Sequence, residues 1–186
     1  MKKSKIRRLG IWCSVVLCVA ALIAGAGYGY WTIFEHRFFT VTENEVYRSG
    51  AMPIEALENK IQKYKIKTVI DLRKLDEKVK NEHAALAKME VRHFNVPSKQ
   101  VPDKETVKAF LNIMDDNKNR PVLIHCHHGE GRAVLFSAIY RIEYEGWPND
   151  QARCASRLIL YKSSFSAGSK KGMFLKNYIP RFHSYD

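Results

Sequence analysis

Apolar positions follow three different rhythms along this chain. From Leu9 to Phe34 they run for 26 residues without a charge. From Pro53 to Asp116, helical spacing alternates with short β-rich blocks. Ile54, Leu57, Ile61 and Tyr64 would share one face of a helix over 53–64, and Val79, Leu86 and Met89 one face of a helix over 77–89. Val107, Phe110, Leu111 and Met114 do the same over 103–116, with Asp103 placed to cap the first turn. Between these helices, 66–72, 91–96 and 121–125 read as buried strands, the second stopped by Pro97. Val41 and Val46-Tyr47 suggest a small hairpin or edge strand. A third rhythm, an apolar helical run from Ala133 to Glu145, is broken by Gly146-Trp147-Pro148-Asn149. Two further helices are expected at about 149–160 and 170–181, divided by a Ser/Gly-rich turn from Ser163 to Ser169. Strands alternating with helices predict an α/β fold: a central, mostly parallel sheet flanked by helices. No internal repeat is visible.

The uncharged run changes the picture of an ordinary domain. Lys2, Lys3, Lys5, Arg7 and Arg8 precede it, and Tyr28, Tyr30, Trp31 and Phe34 close it. About 20 apolar residues suffice to cross a bilayer, and aromatics suit its interface. The expected organisation is a basic cytoplasmic segment at 1–8, one transmembrane helix at 9–34, a tether at 35–44 and a folded domain at 45–186. Basic residues stay cytoplasmic, so that domain would lie outside the cytoplasmic membrane, in a periplasm. The alternative is a signal peptide cut after Ala24-Gly25-Ala26, which would release the domain as a secreted protein.

Net charge is +12 over 186 residues, with five uncompensated cations in the first 34, leaving +7 on the rest. A mildly basic domain suits anionic substrates or membrane surfaces. The basic residues are scattered, and no basic-aromatic platform for nucleic acid appears, so nucleic acid is not expected as a partner. Of four cysteines, Cys13 and Cys18 lie in the apolar run. Cys126 and Cys154 could pair in an oxidising compartment, although a small buried apolar role for Cys154 is the plainer reading.

The chemistry concentrates in His125-Cys126-His127-His128-Gly129-Glu130-Gly131-Arg132. Pro121 to Ile124 predicts a strand before it, and Ala133 to Tyr140 a helix after it. The first N–H groups of a helix lack intrahelical partners and favour an anion. A thiol at the mouth of such a site is drawn toward its nucleophilic thiolate form. Arg132 would offer a planar fork to two phosphate oxygens, and a cation in a first helical turn makes sense if an anion lies between them. Gly129 and Gly131 allow tight turns that aim N–H groups inward. Nucleophile, cradle and guanidinium together point to phosphate-ester cleavage through a phosphocysteine. The cluster also raises a zinc reading, but adjacent residues on a tight loop cannot easily converge on one tetrahedral ion. No metal or other cofactor is expected.

His125, Cys126, Gly129 and Arg132 match the HCxxGxxR signature, and here the chain resembles the cysteine-dependent protein tyrosine and dual-specificity phosphatases. Val46-Tyr47-Arg48-Ser49-Gly50 and Thr68-Val69-Ile70-Asp71-Leu72-Arg73 resemble upstream segments of the small bacterial, atypical dual-specificity branch, and Tyr140-Arg141-Ile142 with Gly146-Trp147 fits the helix after the loop. The resemblance spans about residues 40–180. It implies Cys126 as nucleophile, Arg132 as phosphate clamp and a phosphotyrosine phosphatase-like fold. It implies substrate binding by His127, His128, Gly129, Glu130 and Gly131. His125 would support the loop from inside, with Arg48 and Arg73 bracing it through ion pairs with Asp71 or Glu82. The family's proton donor is an aspartate on a loop before the catalytic strand; Asp103 is the acid in the corresponding loop, with Asp71 and Glu130 in reserve. Ala133 departs from the family, which usually carries Ser or Thr there. Loss of that hydroxyl predicts slower breakdown of the phosphoenzyme, and keeps open a phosphate-binding pseudophosphatase. The implied substrates are phosphotyrosine proteins, with lipid, envelope or inositol phosphates as alternatives.

Overall fold

A computed structural model describes residues 2–157 and 164–181, with side chains from Gly10 onward. It divides into two compact units, Met1–His36 and Arg37–Asp186. The first is one long helix, α1 (Lys2–Ile33). Within it Gly10–Ile33 is long and apolar enough to cross a membrane by length and composition.

The second unit is built on five strands: β1 (Phe39–Thr42), β2 (Val46–Gly50), β3 (Thr68–Asp71), β4 (Arg92–Asn95) and β5 (Val122–Cys126). Their order across the sheet is β1-β2-β5-β3-β4. Only β1 is antiparallel; β2, β5, β3 and β4 run parallel. The predicted mixed α/β architecture is therefore present. The hairpin suggested by Val41 and Val46-Tyr47 is present: Phe38 and Val41 are buried, and 39–42 pairs with β2 as an edge strand.

Alternation along each strand divides the core into two layers. Tyr47, Val69 and Leu123 face one way, against Leu57 and Ile61 of α2 (Ile54–Tyr64) and Leu86 of α3 (Glu77–Lys88). Val46, Ile70, Val122 and Ile124 face the other way. There they meet Val107, Phe110, Leu111 and Met114 of α4 (Lys104–Asp115) and the apolar side of α5 (Arg132–Tyr144). Each large side chain buried this way contributes roughly 1.5–3 kcal/mol. All five residues of β5 are buried, as expected for the central strand of a parallel sheet.

Two C-terminal helices are shorter than predicted. α6 (Asn149–Ala155) ends where Ser156 turns its hydroxyl back to the Ala152 carbonyl, 2.8 Å away. Positions 158–160 of that predicted helix, and Ser163 of the turn, lie outside the described residues. α7 (Lys170–Lys176) stops before Ile179, whose place ahead of Pro180 disfavours helix. Cys154 is exposed on α6 rather than buried, and all four cysteines are free thiols.

Candidate active site

β5 delivers Cys126 to the carboxyl edge of the sheet, and the chain turns through 127–131 into α5. Backbone bonds fix this loop from below. The Ala51 N–H donates to the Cys126 carbonyl at 2.7 Å and the His127 carbonyl at 3.3 Å, and the Leu72 N–H donates to the His125 carbonyl at 3.0 Å. Gly129 sits at φ +72°. A Cβ there would lie 2.5 Å from the Gly50 nitrogen and 2.8 Å from the Ser49 carbonyl carbon. Both the backbone conformation and the close approach of β2 therefore demand glycine. That turn aims the Gly129 N–H at the Cys126 sulfur, 3.3 Å away. Gly131 begins α5 without a side-chain cap, so the first helical N–H groups carry no side-chain acceptor.

A polar cavity of about 200 Å³ opens over the sulfur, lined by Gln100, Cys126, His128, Glu130, Gly131, Arg132, Ser164 and Lys171. The Arg132 Nη1 donates to the carbonyls of Leu72 (2.6 Å) and Ser98 (3.4 Å). Those bonds hold the guanidinium in place and leave Nε and Nη2 for an anion. Arg48 donates to the Gly129 carbonyl at 3.1 Å and braces the loop directly, rather than through Asp71 or Glu82. Burial and nearby Arg141 push its guanidinium down to about 10, against the attraction of Cys126. Arg37 pairs with Glu130 at 2.8 Å and donates to the His128 carbonyl at 3.1 Å. The acid inside the loop is thus balanced by a cation from the chain just before β1. Lys171 belongs to α7; burial lowers its ammonium, Cys126 attracts it and Arg132 repels it. His127 and His128 are exposed, their rings in edge contact at 4.4 Å. Burial, His128, and the cations Lys78, Arg73 and Arg132 hold His127 below the ordinary histidine value.

Behind the loop, on the α3 side, lies a second polar group. Arg73 embraces Asp71 (2.7–3.0 Å) and reaches Glu82 at 2.7 Å, as the sequence reading anticipated. His125 turns inward, with Nε2 2.9 Å from Glu82 Oε1. Burial would raise the Asp71 carboxyl, but the contacts of His93 and Arg73 outweigh it and hold the group well below the usual range.

Asp103 is exposed and caps α4, its Oδ1 accepting from the Thr106 N–H (2.9 Å) and hydroxyl (2.7 Å). It does not line the cavity, and nor does Asp71; of the three proposed proton donors only Glu130 does. Sequence reasoning passed over Lys171, Gln100 and Arg37. None carries a motif, and each reaches the cavity or loop from a separate element. Lys171 had one faint signal, a basic pair just after the Ser/Gly-rich turn.

Comparison with known proteins agrees with this geometry. Residues 26–170, well over half of the chain, match the family described as "DSP-PTPase phosphatase fused to NAD+ Kinase". The chain is 33% identical over 109 residues to the dual specificity protein phosphatase TpbA of Pseudomonas aeruginosa, covering 58% of this chain and 47% of that protein. The chain thus spans about half the length of the curated relatives it matches. The crystal structure of P. aeruginosa TpbA superposes with a TM-score of 0.56 at 25% identity, covering 73% of this chain and 81% of that one. The core catalytic domain of the PP-IP phosphatase SIW14 from S. cerevisiae shares the fold, with a TM-score of 0.62 at 19% identity over 76% of this chain and 85% of that one. The chain belongs to the family of DSP-PTPase phosphatases described as fused to NAD+ kinase.

Proposed function

We propose that this chain hydrolyses phosphate monoesters through a phosphocysteine. The observation that carries the reading is the sulfur of Cys126 under the Gly129 N–H, with an uncapped helix start and Arg132 around the same cavity. The thiolate attacks phosphorus in line; the S–P bond forms as the ester P–O bond breaks. The loop N–H groups of 127–131 and Arg132 hold the equatorial oxygens, and this fixed electrostatic cradle carries most of the rate. The leaving oxygen takes a proton; besides Cys126 and Arg132, the titratable side chains that line the cavity are Glu130, His128 and Lys171. Water then attacks the phosphocysteine, the S–P bond breaks and phosphate leaves. Ala133 lacks a hydroxyl to support the departing sulfur, so this second step limits turnover.

Phosphotyrosine protein is the substrate class this reading favours. TpbA, a dual specificity protein phosphatase by name, is known in complex with pTyr. A second reading, a substrate carrying another phosphate such as an inositol or lipid phosphate, draws on Lys171 beside the cradle and on Arg37 neutralising Glu130. The apolar α1 supports a single-pass anchor with the catalytic unit outside the cytoplasmic membrane, and a signal sequence is its rival. A substrate panel tests the function. The full chain should hydrolyse phosphotyrosyl peptides and p-nitrophenyl phosphate, and Cys126→Ser should lower turnover by at least about 10⁴-fold while keeping vanadate binding. Unchanged hydrolysis by that variant refutes the mechanism.

A further inference from the structure

The polar group behind the loop has more donors than its bonds use. Asp71 from β3, Glu82 from α3, His93 from β4 and His125 from β5 each present one ligand atom, all within 4.8 Å of one another. The separations are 2.9 Å from His125 Nε2 to Glu82 Oε1, and 3.8 Å from His125 Nε2 to Asp71 Oδ1, from His93 Nε2 to Asp71 Oδ2 and from His93 Nε2 to Glu82 Oε1. All four side chains are at most 4% exposed. Yet Glu82 Oε1, His93 Nε2 and His125 Nε2 make no well-aligned hydrogen bond, although the nearness of His93 to Asp71 and of His125 to Glu82 favours both ionised carboxylates. The 2.9 Å approach is close enough for one but lacks its alignment. Buried polar atoms left bare are costly and call for a partner. A hydrogen bond points a donor at a lone pair, whereas metal ligands point their lone pairs at a shared centre.

We infer that Asp71, Glu82, His93 and His125 form a structural zinc site. Zinc ligands stand about 2.0–2.1 Å from the ion, so tetrahedral edges are about 3.3 Å, within the span observed here. Arg73 donates to both oxygens of Asp71 and to Glu82 Oε2, and fixes the orientation of both carboxylates, as outer partners of metal ligands do. His93 Nδ1 lies 3.2 Å from His83 Nδ1, which gives that ligand's second nitrogen a partner. A surface cavity of about 330 Å³ is lined by His83 and His93 among others. Four protein ligands close the coordination, so the ion holds structure and takes no part in turnover. It would tie β3, β4, β5 and α3 together one residue before Cys126. Two carboxylates and one guanidinium leave a single negative charge; zinc would turn it into a single positive one, whereas one proton on a histidine would bring it to zero. That proton is the rival, and the misaligned 2.9 Å contact speaks against it.

The test is metal content and melting of the purified full chain. About one zinc per chain is expected, with chelation lowering Tm by at least about 5 °C and zinc restoring it. Glu82→Gln and His93→Gln should each lose the zinc. His83→Ala, outside the ligand set, and Cys126→Ser should keep it, so that a ligand variant's failure to fold does not decide the matter. Cobalt in place of zinc should give the intense visible absorption of a tetrahedral ion. A metal-free chain whose Tm ignores both zinc and chelator overturns the site in favour of the shared proton. Zinc that survives in His93→Gln, or departs with Cys126→Ser, also overturns it. None of these readouts depends on phosphatase activity.

Discussion

Two polar centres flank β5, and the pleat of that strand assigns neighbouring residues to each. Cys126 joins the side of the sheet that carries α4 and α5, while His125 turns to the α3 side. The front centre is built from backbone: N–H groups of a glycine-containing loop, an uncapped helix start, and cations that enclose a cavity. The rear centre is built from side chains, sealed from water, with both carboxylates gripped by Arg73. The difference teaches how one strand can serve reactivity and rigidity together. The front centre leaves backbone donors open toward a cavity, whereas the rear centre packs its side chains around one guanidinium.

Four substitutions break or sharpen this contrast. The largest effect should come from Gly129→Ala, because the front centre rests on backbone geometry. A Cβ 2.5 Å from the Gly50 nitrogen, at a positive φ, should destabilise the domain by about 3 kcal/mol in urea unfolding and remove activity with it. A fold that melts normally would show the loop to be more yielding than the close β2 contact implies. Next, Lys171→Met should cost about tenfold in kcat/KM for an anionic ester. Burial lowers the Lys171 ammonium, so its charge is present below that reduced value and lost as pH rises through it. An alkaline fall in kcat/KM should therefore begin below the ordinary lysine value of about 10.4 and be absent from the variant. Identical alkaline limbs would remove Lys171 from the front centre.

Ala133→Ser should raise kcat about threefold with KM unchanged or lowered, through faster loss of the phosphoenzyme. Burst kinetics with p-nitrophenyl phosphate would display the accumulated intermediate directly, and absence of a burst in the parent would place the slow step elsewhere. The smallest effect belongs to Asp103→Asn. Asparagine caps a helix about as well as aspartate, and the carboxylate is away from the cavity, so kcat should stay within about twofold. A large loss, with disappearance of the fall in rate as pH rises through a carboxyl pKa, would return Asp103 to the role of proton donor.

Sequence periodicity located the sheet and most helices because each rhythm reports the face that the core must cover. It lost accuracy where local rules compete with it. α6 ended at Ser156, whose hydroxyl turns back to the Ala152 carbonyl, and α7 ended early ahead of Pro180. Cys126, Gly129 and Arg132 were legible because one loop contains them all, and a helix start must follow a strand end for its amides to converge. Arg73 with Asp71 and Glu82 was legible for a similar reason, being near neighbours along the chain.

By itself, then, the order of residues settled the α/β alternation, the apolar N-terminal helix and the loop that joins Cys126 to Arg132, all properties of contiguous segments. Tertiary structure alone decided that Lys171, Gln100 and Arg37 join the front centre, that Asp103 caps α4 outside the cavity lining, and that His93 meets His125 across three strands. Such meetings depend on strand order and register, which pair residues far apart in sequence and leave no spacing for a linear pattern to record.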